Sequence, residues 1–358
     1  MKGSFISKVI IAFFAAAIIY SLFLMYRSEV HSPYQEVRAA IDIGSGTTNL
    51  KIATVETRTN DISKVIFQKS YPVAFQKSLS LSEDNTFDES IRSEGIKVFD
   101  EIKNVAAKHG AEKVIAIATS AFRTAKNGPE YAKEIEEKTG IDVEIVSQDQ
   151  EGILGFYGAI SKSKANPSNV VVWDIGGGSL QLTAKESSKF EIAKGEKASI
   201  YFKNALIEAE GHDIQKVQSP NPISEDTLIK GIAIAELIAE DVNQQIKDKL
   251  DNYQTQVFVI GNLFNHGLKP LVGNKEVMTQ PDLRKAIEGM LNKTDEELGG
   301  GPLAEVKVSN AIYVIGFMDA LRIREVKFVD VNNTDGALID PNYWDLSDAH
   351  TEELQLQQ

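Results

Sequence analysis

The sequence predicts an α/β protein of two similarly built halves that face each other across a cleft, preceded by an N-terminal transmembrane helix. Three observations carry this. The stretch VVVWDIGGGSLQL, Val170 to Leu182, repeats the plan of AAIDIGSGTTNLKI, which begins at Ala39: an apolar strand, Asp-Ile-Gly, a small-residue turn and a second strand. Asp42 and Asp174 lie 132 residues apart, far beyond solenoid or propeller periods, so the pattern is a duplicated domain and not an array. The chain has 358 residues, 42% hydrophobic and 25% charged, enough for two domains with cores of ordinary size.

Val9 to Tyr26, VIIAFFAAAIIYSLFLMY, is an 18-residue run interrupted only by Ser21, long enough to reach across a bilayer core. The following MYRSEVHSPYQEV offers no good small-x-small cleavage site, so the run reads as an uncleaved anchor and not a signal peptide. Lys2, Lys8 and the amino group outweigh Arg27 and Arg38 slightly, which orients the soluble body outside the cytoplasm, as a single-pass inner-membrane protein. Residues 1–37 are the anchor and a polar tether, 38–165 the first domain, 166–340 the second, and 341–358 a polar tail without periodicity, expected to be disordered.

Within the first half, LKIATVET and KVIFQKSYPVAF follow the turn as strands. SEGIKVFDEIKNVAAKHG has apolar residues at helical spacing and Gly110 as a stop. KVIAIATSAF is a buried strand, GPEYAKEIEEKTG a short helix, VEIVS a strand and EGILGFYGAI a helix. In the second half, LQLTAKE and KFEIAKG are strands, and ASIYFKNALIEAEG is helical. EDTLIKGIAIAELIAEDVNQQIKDKL reads as one long helix, QVFVIG as a strand, LGGGPLAEV as a loop, NAIYVIGFMDALRI as a helix and EVKFVDV as a strand.

Composition narrows the chemistry. A net charge of −13 without basic blocks argues against nucleic-acid binding. It also means that a polyanionic ligand must be met by a local positive site. The absence of cysteine excludes disulfides and thiol catalysis, and the five histidines share no metal-ligand spacing.

A strand running straight into a Gly/Ser-rich turn presents successive backbone N–H groups, a cradle for phosphate. Ser45, Thr47, Thr48 and Ser179 add hydroxyls, and Asp42 and Asp174 sit where a strand ends, each aimed at what the turn holds. Carboxylates beside phosphates point to Mg²⁺. The plainer alternative is a pair of β-hairpins whose glycines serve turn geometry alone. Neither turn is a Walker A or Rossmann loop, because each is followed by a strand and not a helix. Ser147 and Gln150 have capping-box spacing, which places Glu151 in the first turn of a helix, where the dipole favours an ionised carboxylate suited to general-base work. The alternative is that Glu151 only complements that dipole. The helix behind it is apolar and should lie between the halves, with its N-terminus opening into the cleft. Arg123 follows a buried strand and is the leading phosphate-binding cation, with a surface helix-cap arginine as the alternative; Lys126 and Lys51 have weaker claims.

From Ala39 to Ile339 the chain resembles the exopolyphosphatase / guanosine pentaphosphate phosphohydrolase (Ppx/GppA) family of the actin–sugar kinase–chaperone ATPase superfamily. The resemblance rests on AAIDIGSGTTNLKIATV, IAIATSAFRTAKN, VEIVSQDQEGILGFYGAI, VVVWDIGGGSLQL and the late SNAIYVIGFMDALRIREVKFVDVNNTDGALI. It implies two ribonuclease-H-like domains and Mg²⁺-dependent hydrolysis of terminal phosphoanhydrides of polyphosphate or pppGpp. Glu151 takes the place of the catalytic base, with Asp174 and Gln181 beside it. Asp42 and Asp174 take the metal-side acidic places. Gly44, Ser45, Gly46, Thr47, Gly176, Gly177, Gly178, Ser179 and Arg123 fall at phosphate-binding positions. Gly46, Leu180, Gln181, Gln150 and Ile153 depart from the family pattern, which has Asn, Thr, Glu, Glu and Arg there. The glycine-rich third loop survives only as VIGNLFNHG, a poor adenosine pocket. Three readings follow: a membrane-anchored hydrolase with polyphosphate favoured as substrate; a phosphate-binding or regulatory protein that has lost catalysis; and a nucleotide-dependent kinase or ATPase of the same superfamily. A homodimer is kept among the partners.

Overall fold

The structure, a computed structural model, describes residues 34–111 and 113–344. The expected span Val9–Tyr26 and the tail beyond Trp344 lie outside these residues. No helix among the described residues is long and apolar enough to cross a membrane.

The first half contains β1 (Gln35–Ile43), β2 (Thr47–Glu56), β3 (Asp61–Pro72), α1 (Phe75–Leu81), α2 (Glu89–Lys108), β4 (Lys113–Ala118), α3 (Ser120–Thr124), α4 (Gly128–Thr139), β5 (Val143–Ile145) and α5 (Gln148–Ser163). Its sheet has the order β3-β2-β1-β4-β5, with β1–β2 and β2–β3 antiparallel and β1–β4 and β4–β5 parallel. The second half contains β6 (Val170–Ile175), β7 (Leu180–Glu186), β8 (Lys189–Gly195), α6 (Ser199–Ala209), α7 (Glu225–Ala239), α8 (Gln244–Asp251), β9 (Gln256–Ile260), β10 (Val277–Thr279), α9 (Gln280–Glu288), α10 (Gly301–Ala320), β11 (Glu325–Phe328) and α11 (Asn333–Ile339). Its order, β10-β11-β9-β6-β7-β8, repeats the first sheet's order and strand senses and adds β10 at one edge. The duplication read from two short turns therefore extends over both sheets.

One face of each sheet packs on its own helices. Phe75, Phe87, Phe122 and Tyr131 form an aromatic cluster against the first sheet, with ring centroids 5.1 to 6.1 Å apart. Trp173 of β6 is fully buried against Phe264 and Phe317 on the corresponding face of the second. The other two faces share α5 and α11. Leu154 of α5 joins Ala40, Ile117 and α11's Leu338 on the first sheet, while Phe156 and Ala159 join Val172, Phe258 and Ile260 on the second. Being apolar nearly all round suits α5 to this place between two sheets. Its capping box forms as read: Gln150 N donates to Ser147 Oγ at 3.2 Å, and Ser147 N to Gln150 Oε1 at 2.9 Å.

Three expectations need correction. The long helix is two, because Asn243 accepts a hydrogen bond from Ile246 N at 3.0 Å and starts a new helix after a break. Part of LGGGPLAEV is helical: α10 begins at Gly301 with Pro302 in its first turn, where a missing N–H costs nothing. The start of the tail is ordered. Trp344 Nε1 donates to Ala337 O at 2.7 Å, and the Arg38 guanidinium lies 4.6 Å over the Trp344 ring.

Helix α11 touches α5 backbone to backbone. A Cβ on Gly336 would stand 2.1 Å from Leu154 O and 2.5 Å from Leu154 C, neither of which can yield as a flexible side chain would. We expect Gly336→Ala to destabilise the fold by about 3 kcal/mol, whereas Gly289→Ala, with nothing nearer than 3.5 Å, should stay within about 0.5 kcal/mol. Urea unfolding of both variants checks this, and equal stabilities would refute the tight α5–α11 contact.

Candidate active site

Each Asp-Ile-Gly turn closes in the same way. Gly44 N donates to Thr47 O at 3.0 Å, and Gly176 N donates to Ser179 O at 2.8 Å. Both are hairpins, as the plainer reading had it. They also meet. A Cβ on Gly177 would lie 2.8 Å from Ser45 Cβ, so glycine is what lets the two turns approach. Between them opens a cleft of about 710 Å³, lined by Asp42, Gly44, Ser45, Gly46 and Thr47 from one half and by Asp174, Gly176, Gly177 and Ser179 from the other. Glu151, at the N-terminus of α5, completes this wall.

Three carboxylates converge here. Asp42 and Glu151 are each 6% exposed, while Asp174 keeps a little solvent contact at the cleft floor although protein surrounds it. Burial first, then the charge of Glu151, push the Asp42 carboxyl up to about 7, against a hydrogen bond from Asn49. Burial also raises Asp174 well above the usual carboxylate range, helped by Glu151 and Asp42. Glu151 is raised by burial too, and the Arg123 guanidinium opposes this, with Ser179 and Gln181 assisting. The helix dipole alone therefore does not decide its charge, contrary to the sequence expectation. Gly261 follows β9 at φ +80°, and its bare Cα leaves room for Asp174 Oδ1, which a Cβ would approach to 2.6 Å.

Arg123 is placed differently from its expected role. It is not among the cleft-lining residues. Its Nη2 lies 2.7 Å from Glu151 Oε2 and 3.3 Å from Ser179 Oγ, and its Nη1 donates to Val146 O at 2.9 Å. The Glu151 contact is close in charge but off-line in direction, which leaves Oε2 without a proper hydrogen bond. Lys51 is likewise committed elsewhere, in a buried 2.5 Å ion pair with Asp335. Lys126 is exposed and does not line the cleft. Gly178 lies behind the wall, where a Cβ would meet Ser120 Oγ at 2.5 Å. Gln181 is 1% exposed, opposite Asp174 in the β6–β7 register; its amide lies near enough to Glu151 to help lower the carboxyl, yet Nε2 has no well-aligned partner.

Several residues escaped the sequence reading. Asn49 stands opposite Asp42 as Gln181 stands opposite Asp174, so both halves carry an amide at the same place in the repeat. The offset of the two aspartates, applied to Gln181, would have found it. Asn262, just after the third strand-glycine turn, donates to Thr47 Oγ1 at 3.2 Å and ties the second half to the first turn. Lys307 is the lysine among the cleft-lining residues. Leu268, Leu271, Leu298 and Leu303 also line the cleft beside Gly299 and Gly300, a larger apolar surface than VIGNLFNHG foretold.

Residues 52–197 match the model of the Ppx/GppA phosphatase family. Over this segment the chain is similar to the Ppx/GppA phosphatases. It is 31% identical over 154 residues to the bifunctional 3-dehydroquinate synthase/phosphatase of Fusobacterium nucleatum, covering 41% of this chain and 23% of that protein. To exopolyphosphatase 1 of Mycobacterium tuberculosis it is 25% identical over 158 residues, 43% of each chain. The chain thus spans less than half the length of these curated proteins. Its fold superposes on the Ppx/GppA family member of Aquifex aeolicus with a TM-score of 0.67 at 18% identity, covering 90% of this chain and 99% of that one. The exopolyphosphatase structure from Cytophaga hutchinsonii gives 0.66 at 17% identity, with 85% and 96% covered. The segment matched by the family model begins after Asp42 and the first turn, so that half of the clamp rests on the fold and not on the family match.

The carboxylate cluster makes stability depend on pH. Asp42 moves from an ordinary 3.8 to about 7, so between pH 4 and 7 the folded chain holds a proton that the unfolded chain has lost. Stability then falls as pH rises through this window. Asp42→Asn should flatten the fall, and urea unfolding at steps between pH 4 and 7.5 checks it. Parallel curves for the two proteins would contradict the assignment.

Proposed function

We propose that this chain is a phosphoanhydride hydrolase that removes terminal phosphate from inorganic polyphosphate or a pppGpp-like nucleotide, with Glu151 as general base. The observation that carries the proposal is the convergence of Asp42, Asp174 and Glu151 between two like-built glycine turns. The turns supply backbone donors and the Ser45, Thr47 and Ser179 hydroxyls for phosphate oxygens. Glu151 takes a proton from water as the water oxygen bonds to phosphorus, and the anhydride P–O bond breaks on the opposite side. Arg123 sits on Glu151 and opposes the burial that would otherwise protonate it. Positioning supplies most of the rate in such reactions.

The donor set fits Mg²⁺. Asp42 Oδ1 is buried without a hydrogen-bond partner, and hard carboxylate oxygens suit this ion. Among the described residues no group of three His, Cys, Asp or Glu side chains could hold a metal ion. Asp42 and Asp174 would hold the Mg²⁺. It would neutralise charge on the transferring phosphoryl group.

A second reading, ligand binding without hydrolysis, is favoured by the neutral Gln181 buried beside Glu151. Phosphate release from polyphosphate and from nucleotides in the presence of Mg²⁺ decides between them. Glu151→Gln should lower the rate by about 10²–10⁴-fold; wild-type release no greater than that of the variant would sink the hydrolase reading. The apolar run Val9–Tyr26 supports a membrane-anchored form with its body outside the cytoplasm. Carbonate washing of membranes should leave the full chain in the pellet and release a variant lacking residues 9–26; release of both would remove the anchor.

A further inference from the structure

A second cavity, of about 620 Å³, lies on another side of α5 from the cleft, between that helix, β4 and β5 at the edge of the first sheet, and the segment that follows α11. Its size is that of a small-molecule site. Ile115, Ile153, Leu154, Tyr157 and Phe190 give it an apolar wall. Gln150 and Ile153, two of the departures from the family pattern, line this cavity and not the cleft. Three carboxylates line it too: Asp142 and Glu144 at β5, and Asp340 at the end of α11. Asp340 is 9% exposed; its Oδ1 accepts from Asn342 N at 3.0 Å and from Asn342 Nδ2 at 2.9 Å, and its Oδ2 has no donor among the described residues. Glu144 accepts from Gln150 Nε2 at 3.1 Å. Among the described residues none of the three carboxylates forms an ion pair. Lys113 is the cation in the lining; its Nζ donates to Tyr343 O and lies 5.2 Å over the Trp344 ring. Lys185 stands outside the lining, 5.3 Å over the Phe190 ring and 5.8 Å over that of Tyr157.

Three carboxylates against one ammonium leave this cavity negative, and a chain of net charge −13 adds to its pull on cations. The tyrosines in its wall respond to that field. Burial first, then Asp340, raises the Tyr157 hydroxyl, and burial, then Glu144 and Asp340, raise that of Tyr343. A nearly buried carboxylate with a free oxygen is unfavourable until a cation or a donor completes it. The Tyr157 and Phe190 rings, with centroids 5.6 Å apart and planes at 88°, offer aromatic surface to a cation. A bare inorganic ion would leave the apolar wall uncovered, and a neutral apolar ligand would leave the carboxylates unpaired. The continuation of the chain past Trp344 is a poor match, because residues 345–358 carry Asp345, Asp348, Glu352 and Glu353 and no lysine or arginine. We propose that this cavity binds an amphipathic organic cation, an ammonium or guanidinium group on an apolar body, with the charge at Asp340 and the body against Ile153, Tyr157 and Phe190. The site is independent of the hydrolase reading. It also gives Gln150 and Ile153 a place away from the chemistry of the cleft.

The test is calorimetric titration of the full chain, without phosphate ligands, using three probes: phenethylamine, which has both charge and body; phenylpropionate, which has the body with the opposite charge; and methylammonium, which has the charge alone. Phenethylamine should bind saturably, one per chain, and at least about tenfold more tightly than either of the others. Asp340→Asn should weaken it about tenfold, as expected for one lost charge-assisted contact. Asp340 is nearly buried, so a thermal melt checks that this variant folds. Ile153→Arg is a second route: it sets a guanidinium among the carboxylates and should weaken phenethylamine at least as much. Glu325→Gln, which makes the same charge change at an exposed site outside the lining, should leave the affinity unchanged. Deletion of residues 347–358 should leave it unchanged as well. Absence of saturable phenethylamine binding, equal binding of phenylpropionate or methylammonium, or equal weakening by Glu325→Gln would overturn the proposal. Tighter binding after the deletion would overturn it in favour of the tail as the occupant.

Discussion

Everything in the candidate site depends on three carboxylates being held together in a place where water is scarce. Asp42 lies near the end of β1, Asp174 near the end of β6 and Glu151 in the first turn of α5, so each arrives from a different element and the packing of the two halves brings them together. Burial raises all three above ordinary carboxylate behaviour, and the neighbouring carboxylates add to this for Asp42 and Asp174. Arg123 is the counterweight. It spends its guanidinium on Glu151, Ser179 and the Val146 carbonyl, and so links Glu151 to the second glycine turn.

The scaffold keeps this arrangement by trapping α5 and α11 between the two sheets. One side of α5 belongs to the core of the first half and the other to the core of the second. The Lys51–Asp335 ion pair ties α11 to β2 in the same layer. Because α11 returns to the first sheet after β11 has completed the second, the halves are joined at both ends of the second half's chain. A shift of α5 would move Glu151 relative to both aspartates at once, which makes the glycine contact at Gly336 part of the site's support as much as of the core.

The halves are alike in topology but unlike in what they add. Both carry the strand order of the first sheet, the same turn hydrogen bond and an amide opposite the aspartate, Asn49 in one and Gln181 in the other. Asn49 is satisfied, accepting from Ser70 Oγ at 2.6 Å and supporting Asp42, while the Gln181 amide lacks an aligned partner. The asymmetry puts the chemical question on the second turn.

Much of this was legible in the chain. The repeated Asp-Ile-Gly turn, the alternation of strand and helix, and the capping box at Ser147 are local signals, set by backbone geometry and hydrogen bonds that neighbours in sequence complete; they determined the two halves, the clamp and the position of Glu151 at a helix start. The break at Asn243, the helical start at Gly301 and the anchoring of Trp344 were not legible, because capping and tertiary contacts overrode the period. Nor could charge pairing be read. Arg123 and Lys51 looked like phosphate ligands by residue type. Which cation meets which anion depends on distances of a few ångströms between segments far apart in the chain, and only the tertiary structure decides those.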